Sequence, residues 1–363
     1  MKVGFITRHA YPNYGSLLQA YALQEAIYKL NHDPVCIDYI NRAEDSWRLC
    51  FAQLRESRMN SSIIKRFIYC AIQIPNYTLN TRAFRMMQKK CLKLSKKFSN
   101  AASIKLSDID VYCTGSDQVW NQIHNQLDKA YFLNFLSPNT KKISYAASFG
   151  RDDVDSNDIE IIRNYVSKYR SISVREQSGV DILKSMSIES QCVVDPVLLF
   201  DKTFWSEKAT TVPEKGYILI YQLHYNQSMT DIAHKLAKSK NKRIIRVTCE
   251  LKQLFCKGET VKYLPTIYQF MGYIKSADYV VTDSFHGTVF SLIFNRKFVE
   301  VAPGVNKTRN ENLLNMVGLS DRFVNLENVV DKADKEIDYE DVQKRLEQER
   351  LVSWKFLKDA IEL

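Results

Sequence analysis

Several familiar architectures are excluded by what is missing from this chain. Its eight cysteines stand singly, with no C-x-x-C pair and no Cys/His group at zinc spacing. They read as reduced, mostly buried thiols of a cytosolic protein, not as a disulfide framework or a zinc module. No run approaches the roughly 18 apolar residues of a membrane span. The opening Met1-Lys-Val-Gly-Phe-Ile-Thr7 has a strand pattern, not a charged start followed by a long apolar region, so no secretory leader is read there. Asn-x-Ser/Thr matches such as Asn76-Tyr-Thr78 then carry no meaning. There is no short repeat and no low-complexity tract. What remains is a soluble globular protein, expected in the cytoplasm.

At 363 residues the chain exceeds the size at which one hydrophobic core usually keeps growing, so two domains are expected. Net charge is +10, and between Glu44 and Lys97 twelve Lys/Arg face three acids, a local balance of +9. Such a patch suits nucleic acid, anionic lipid headgroups or phosphorylated substrates, or is simply a solvated helical face.

Hydrophobic patterning gives an α/β chain. Strands over Lys2–Thr7, Val35–Ile40, Asp110–Thr114, Lys142–Ser148, Ser171–Val174 and Cys192–Val194 alternate with helices over 17–30, 156–169 and 177–186. Ser16 is placed to cap the first of these helices. Residues 44–100 interrupt the alternation as two or three basic amphipathic helices, separated near Pro75. A boundary follows Asp195-Pro196, and a second alternation runs from Tyr217 through strands at Arg243, Val261, Val280 and Lys297. The expected domains are 1–196, with the insertion, and 197–338, followed by one charged helix over 339–363.

The most chemical stretch is Thr282-Asp-Ser-Phe-His-Gly-Thr288, a strand end running into an apolar helix. In open α/β sheets ligands bind at that edge, and a helix N-terminus offers free N–H groups to an anion. His286 is either a titratable group at such a site or a residue that caps or packs. Asn13, Tyr14 and Ser16 at the first strand–helix turn suit an anion or a sugar, though turns use such residues for backbone reasons too. In Gly115-Ser-Asp117, Asp117 is a candidate base or a helix cap. Arg175 in Ser173-Val-Arg-Glu176 is either a bidentate clamp for a carboxylate or phosphate, or half of an ion pair.

Taken together, Asn13-Tyr-Gly-Ser-Leu-Leu-Gln-Ala-Tyr-Ala-Leu-Gln24, Thr114-Gly-Ser-Asp-Gln-Val-Trp-Asn121, Tyr145-Ala-Ala-Ser-Phe-Gly150, Ser173-Val-Arg-Glu176, Val194-Asp-Pro196 and Asp283-Ser-Phe-His-Gly-Thr288 resemble the polysaccharide pyruvyl transferase family. The blocks keep the family's order from residue 1 to about 320 and leave out the basic insertion and the tail. The resemblance implies two Rossmann-like domains facing a cleft, as in the glycosyltransferase-B fold. It implies transfer of the pyruvyl unit of phosphoenolpyruvate to glycan hydroxyls as a cyclic ketal, in surface polysaccharide biosynthesis. His286 matches the family's active-site His, and Arg175 matches its Ser-x-Arg block. Family members carry a further Arg where this chain has Ser284, so Lys307, Arg309 or Arg8 is expected to supply that charge.

The implied chemistry fits the residue types. A general acid titrating near neutrality, His286, would protonate the donor's methylene, and Asp117 would take the proton of the attacking hydroxyl. Arg175, Ser284, Gly287, Lys307 and Arg309 are the expected donor contacts. Asn13, Tyr14, Ser16 and Ser116 are the expected acceptor contacts. No cofactor or metal is called for. A glycosyltransferase using a nucleotide sugar is the alternative on the same fold. A nucleic-acid-binding protein is the third reading, opposed by the absence of any RNA- or DNA-binding motif. The basic insertion is assigned to a lipid-linked oligosaccharide acceptor or to peripheral contact with an anionic membrane. Ile63, Ile64, Phe67 and Ile68 are expected to pack on the domain, with the lipid interface as the other use.

Overall fold

The computed structural model describes residues 1–363 apart from 46, 124, 125, 225 and 303–307. It divides into two compact units, one of Met1–Leu199 with Val352–Leu363 and one of Phe200–Leu351.

In the first unit the strands are β1 (Lys2–Ile6), β2 (Asp33–Cys36), β3 (Val111–Thr114), β4 (Lys142–Ala147), β5 (Ser171–Val174) and β6 (Gln191–Cys192). They form one parallel sheet in the order β2-β1-β3-β4-β5-β6. Strands β3 and β4 are buried at every position, the continuous pattern expected where helices cover both faces of a sheet. In the second unit, β7 (Tyr217–Tyr221), β8 (Arg243–Thr248), β9 (Glu259–Tyr263), β10 (Tyr279–Thr282) and β11 (Lys297–Glu300) form a parallel sheet in the order β9-β8-β7-β10-β11. Its core includes Ile218, Ile220, Met229, Leu236, Val281 and Val299.

Each sheet has one point where the winding reverses, between β1 and β3 in the first and between β7 and β10 in the second. At such a point neighbouring connections leave in opposite directions and open a crevice outside the strands' carboxyl ends. Register aligns Ile6 with Thr114 and Tyr221 with Thr282. The residues that follow these pairs, Thr7 and Gly115 in one unit and Gln222 and Asp283 in the other, therefore leave the sheet at its edge together.

The insertion differs from expectation in two ways. A single helix, Ile63–Cys91, runs through Pro75 where a break was predicted. Beyond the proline, Asn76, Asn80, Phe84, Met87 and Cys91 bury at helical spacing. That burial outweighs the roughly 3 kcal/mol a helix-interior proline costs. Arg85 pairs with Asp38 through its two Nη nitrogens, and Gln88 Nε2 donates to the His9 carbonyl at 3.0 Å, fastening this half to the sheet edge. The other half carries Ile63, Ile64, Phe67 and Ile68, which were expected to pack. They stand exposed.

The final helix, Tyr339–Glu362, is divided between the units, through Leu351 with the second and from Val352 with the first. In the first unit Leu357 and Ile361 are fully buried, Ser353 Oγ accepts from Val194 N at 3.0 Å, and Trp354 Nε1 donates to the Leu199 carbonyl at 3.1 Å. Among the described residues no helix is long and apolar enough to cross a membrane.

Candidate active site

At the reversal point of the first unit, the chain leaving β3 turns at Gly115, whose φ of +110° suits glycine alone. A Cβ there would meet the Tyr145 carbonyl oxygen at 2.2 Å. The turn is tied to the loop after β1 by Thr7 Oγ1, which donates to the Ser116 carbonyl at 2.7 Å. The first helix begins at Tyr14, and its cap is Asn13, not Ser16. The Asn13 side chain accepts from the N–H groups of Gly15 and Ser16. Ser16 is thereby released, and its Oγ donates to Asp117 Oδ2 at 2.6 Å. Asp117 caps no helix. Its other oxygen accepts from the Gln118 N–H at 2.9 Å.

Of the residues expected to meet an acceptor, Tyr14 is fully buried with its ring 5.1 Å from that of Phe84. Ser116 is buried too, its hydroxyl 3.4 Å from Asp195 Oδ2. Ser16 is buried as well, bonded to Asp117, and the half-buried Asp117 carboxylate is the group left at the sheet edge.

Arg175 follows β5 and is enclosed by acids. Its Nε donates to Glu176 Oε1 and an Nη to Asp195 Oδ2, each at 2.9 Å, and Asp117 Oδ1 lies 3.9 Å away. Burial by itself would lower the guanidinium's pKa, but Glu176, Asp195 and Asp117 outweigh it and hold it above its ordinary value. One cation among three carboxylates carries a net charge of −2, which repels an anionic donor. The ion-pair reading of Arg175 is the one this geometry favours. It also explains the Val194-Asp-Pro196 block, since Asp195 is the acid that fixes the guanidinium. Arg8 is likewise engaged, with Glu44 at 2.5 Å and over the Tyr11 ring.

In the second unit the reversal point gathers a different set. Asp283, the first residue after β10, is buried and receives three contacts from the end of β7. Leu223 N donates to Oδ1 at 2.7 Å and His224 N to Oδ2 at 2.9 Å, while His224 Nδ1 lies 3.2 Å from Oδ2. The His224 side chain is 49% exposed, the Asp283 side chain 2%. A buried carboxylate thus holds one nitrogen of an accessible imidazole.

Ser284 caps the next helix, Phe285–Ile293, by accepting from Gly287 N at 3.3 Å. The Ser284 hydroxyl is therefore spent on the backbone. Gly287 is required by close approach, because a Cβ there would sit 2.4 Å from Thr282 Oγ1. His286 occupies the first turn, nearly buried, with its ring edge-on to Phe285 at 5.2 Å between centroids. Glu300, at the end of β11, is fully buried and accepts from Thr288 Oγ1 of the same helix and from Asn310 Nδ2. Burial pushes its carboxyl up to about 8, against the opposing pull of those two hydrogen bonds. Arg309 stands in the first turn of the helix Thr308–Met316, beside Asn310, so Glu300 links that turn to the His286 helix. Lys307, and the loop that begins at Pro303, lie outside the described residues.

Sequence reasoning missed His224 and Glu300. The signal for His224 was present, since it stands three residues beyond the end of an apolar strand, much as His286 stands four beyond another. Among the described residues no group of three His, Cys, Asp or Glu side chains is gathered that could hold a metal ion.

Two parallel α/β units of this winding define a glycosyltransferase-B-like protein. Solved structures agree on the fold. UDP-N-acetylglucosamine 2-epimerase of Rickettsia bellii is 12% identical, with 98% of this chain and 95% of that one covered at a TM-score of 0.51. AviGT4, a glycosyltransferase involved in avilamycin A biosynthesis, is 8% identical, with 99% and 97% covered at 0.51. UGT89C1 of Arabidopsis thaliana, solved with UDP, is 9% identical, with 100% of both chains covered at 0.50. No curated protein matches the chain by sequence. The family model for polysaccharide pyruvyl transferase matches residues 13–303, most of the chain. The chain belongs to that family of transferases.

Proposed function

We propose that this transferase moves the pyruvyl group of phosphoenolpyruvate onto two hydroxyls of a glycan or lipid-linked sugar, acting in the cytoplasm in surface polysaccharide biosynthesis. The donor's methylene carbon gains a proton and C2 becomes electrophilic. One acceptor hydroxyl adds to C2 and loses its proton. The C2–O bond to phosphate then breaks, a second hydroxyl closes the ring, and inorganic phosphate leaves with the remaining proton. The balance is one phosphoenolpyruvate and one diol in, one ketal and one phosphate out.

The observation that carries this reading is the imidazole of His286 in the first turn of a helix at the second unit's reversal point. A titratable donor stands there beside a helix N-terminus suited to an anion. Asp117, receiving a hydrogen bond from Ser16, is the proposed base for the acceptor hydroxyl. The His224–Asp283 pair adds a second group that can exchange a proton, with Asp283 setting its tautomer. Arg309 is the proposed cation for the donor in place of the family's Arg.

The test is incubation with phosphoenolpyruvate and candidate sugars, following phosphate release and the mass of the acceptor, which should rise by pyruvate less water. His286→Ala should lower turnover about 10²–10⁴-fold with melting temperature and donor binding retained. Near wild-type turnover in that variant would make His286 structural. Thermal protection by a nucleotide sugar, with none from phosphoenolpyruvate, would replace pyruvyl transfer with glycosyl transfer.

A further inference from the structure

The first half of the helix Ile63–Cys91 has an outer surface that the proposed reaction does not use. Ile63, Ile64 and Phe67 are 82%, 73% and 75% exposed, and Ile68 and Ile72 are about half exposed, at 47% and 49%. Exposed single apolar residues are ordinary, but a contiguous ridge of this kind marks an interaction surface. Ile64, Ile68, Ile72 and Leu79 recur at spacings of four, four and seven, so they share one side of the helix. The buried residues, Asn76, Asn80, Phe84, Met87, Gln88 and Cys91, lie on the side turned away from it.

Charge selects among the surfaces that could cover this ridge. The helix contains no Asp or Glu, and it carries Lys65, Arg66, Arg82, Arg85, Lys89 and Lys90. Arg85 is engaged with Asp38. Arg82, Lys89 and Lys90 fall on the same outer side as the apolar ridge, further along the helix. A second copy of the chain would bring one +9 segment against another, a repulsive arrangement in a symmetric dimer. A nucleic acid would satisfy the lysines and leave isoleucine and phenylalanine against phosphates. An anionic bilayer satisfies both, with apolar side chains among the acyl chains and ammonium groups among the headgroup phosphates.

We infer that the outer side of the helix Ile63–Cys91 is a docking surface for an anionic lipid bilayer, with its apolar first half inserted at the interface and its basic second half on the headgroups. The helix lies on the membrane and does not cross it. This inference is independent of which reaction the two units perform.

The experiment is co-sedimentation of the full chain with vesicles of phosphatidylcholine alone or with about one-third phosphatidylglycerol, across a salt series. Binding is expected only to the anionic vesicles and should fall as salt rises. The variant Ile64→Ser/Phe67→Ser/Ile68→Ser, whose sites are exposed and should leave the melting temperature unchanged, is expected to bind at least tenfold more weakly. Arg82→Glu/Lys89→Glu/Lys90→Glu should weaken binding by roughly fivefold or more for each charge changed. Failure to bind anionic vesicles at low salt would overturn the proposal. So would unaltered binding by the serine variant, or a dimer in sedimentation velocity that the serine variant abolishes without any vesicle binding by the parent.

Discussion

Arg175 shows how one residue type at a strand end can carry opposite meanings. A guanidinium in an open cleft is an anion clamp, and one shared by Glu176, Asp195 and Asp117 is a keystone of the loops around it. Removing it leaves buried carboxylates uncompensated, which typically costs about 3–5 kcal/mol. Arg175→Ala is therefore expected to lower the melting temperature strongly, with any loss of turnover following unfolding. A raised KM for phosphoenolpyruvate at unchanged melting temperature would restore the clamp. Glu300 makes a second residue-level prediction. Its carboxyl is held up at about 8 against an ordinary 4.5, so the folded state binds a proton that the unfolded state has released between those values. Stability must then fall as pH rises through that window. Glu300→Gln removes the titration, and whatever its constant offset, its melting temperature should gain on the parent from about pH 5 to about pH 9. A gap that does not change with pH would show that Glu300 is ionised throughout.

At the scale of the element, what was legible in the sequence was what depends on neighbours along the chain. Strands buried on both faces read as short apolar runs, and each of the eleven strands of the two parallel sheets overlaps a stretch read as strand, with ends shifted by a few residues. Gly287 was legible too, because it answers to crowding by Thr282, five residues earlier, whereas the crowding at Gly115 comes from the Tyr145 carbonyl on a neighbouring strand. The helix through Pro75 was not legible. Its continuation depends on burial of Phe84 and Met87 and on Arg85 reaching Asp38, 47 residues away. The His224–Asp283 pair joins residues 59 apart, and nothing in either local stretch announces the other. Ser16 was misjudged for a smaller reason. Asn13, three residues earlier, is the better-placed cap, and taking that duty it frees the Ser16 hydroxyl for Asp117.

For the molecule as a whole, the division of the last helix carries the widest consequence. Deleting Val352–Leu363 removes Leu357 and Ile361 from the first unit, and burial of such a side chain contributes about 1.5–3 kcal/mol. Two of them are a large share of the roughly 5–15 kcal/mol by which a folded protein exceeds its unfolded chain. The truncated chain should lose the first unit to limited proteolysis while residues 200–351 give a protected fragment. An undiminished first unit would show that the helix end is dispensable. The same division sets an order in time. Residues 352–363 emerge from the ribosome only after the whole of Phe200–Leu351 has been synthesised. At about 5–20 residues per second, the first unit waits roughly ten to thirty seconds for its closing piece. Through that interval the groove that will receive Leu357 and Ile361 is bare, and the half of the molecule begun first is the half finished last.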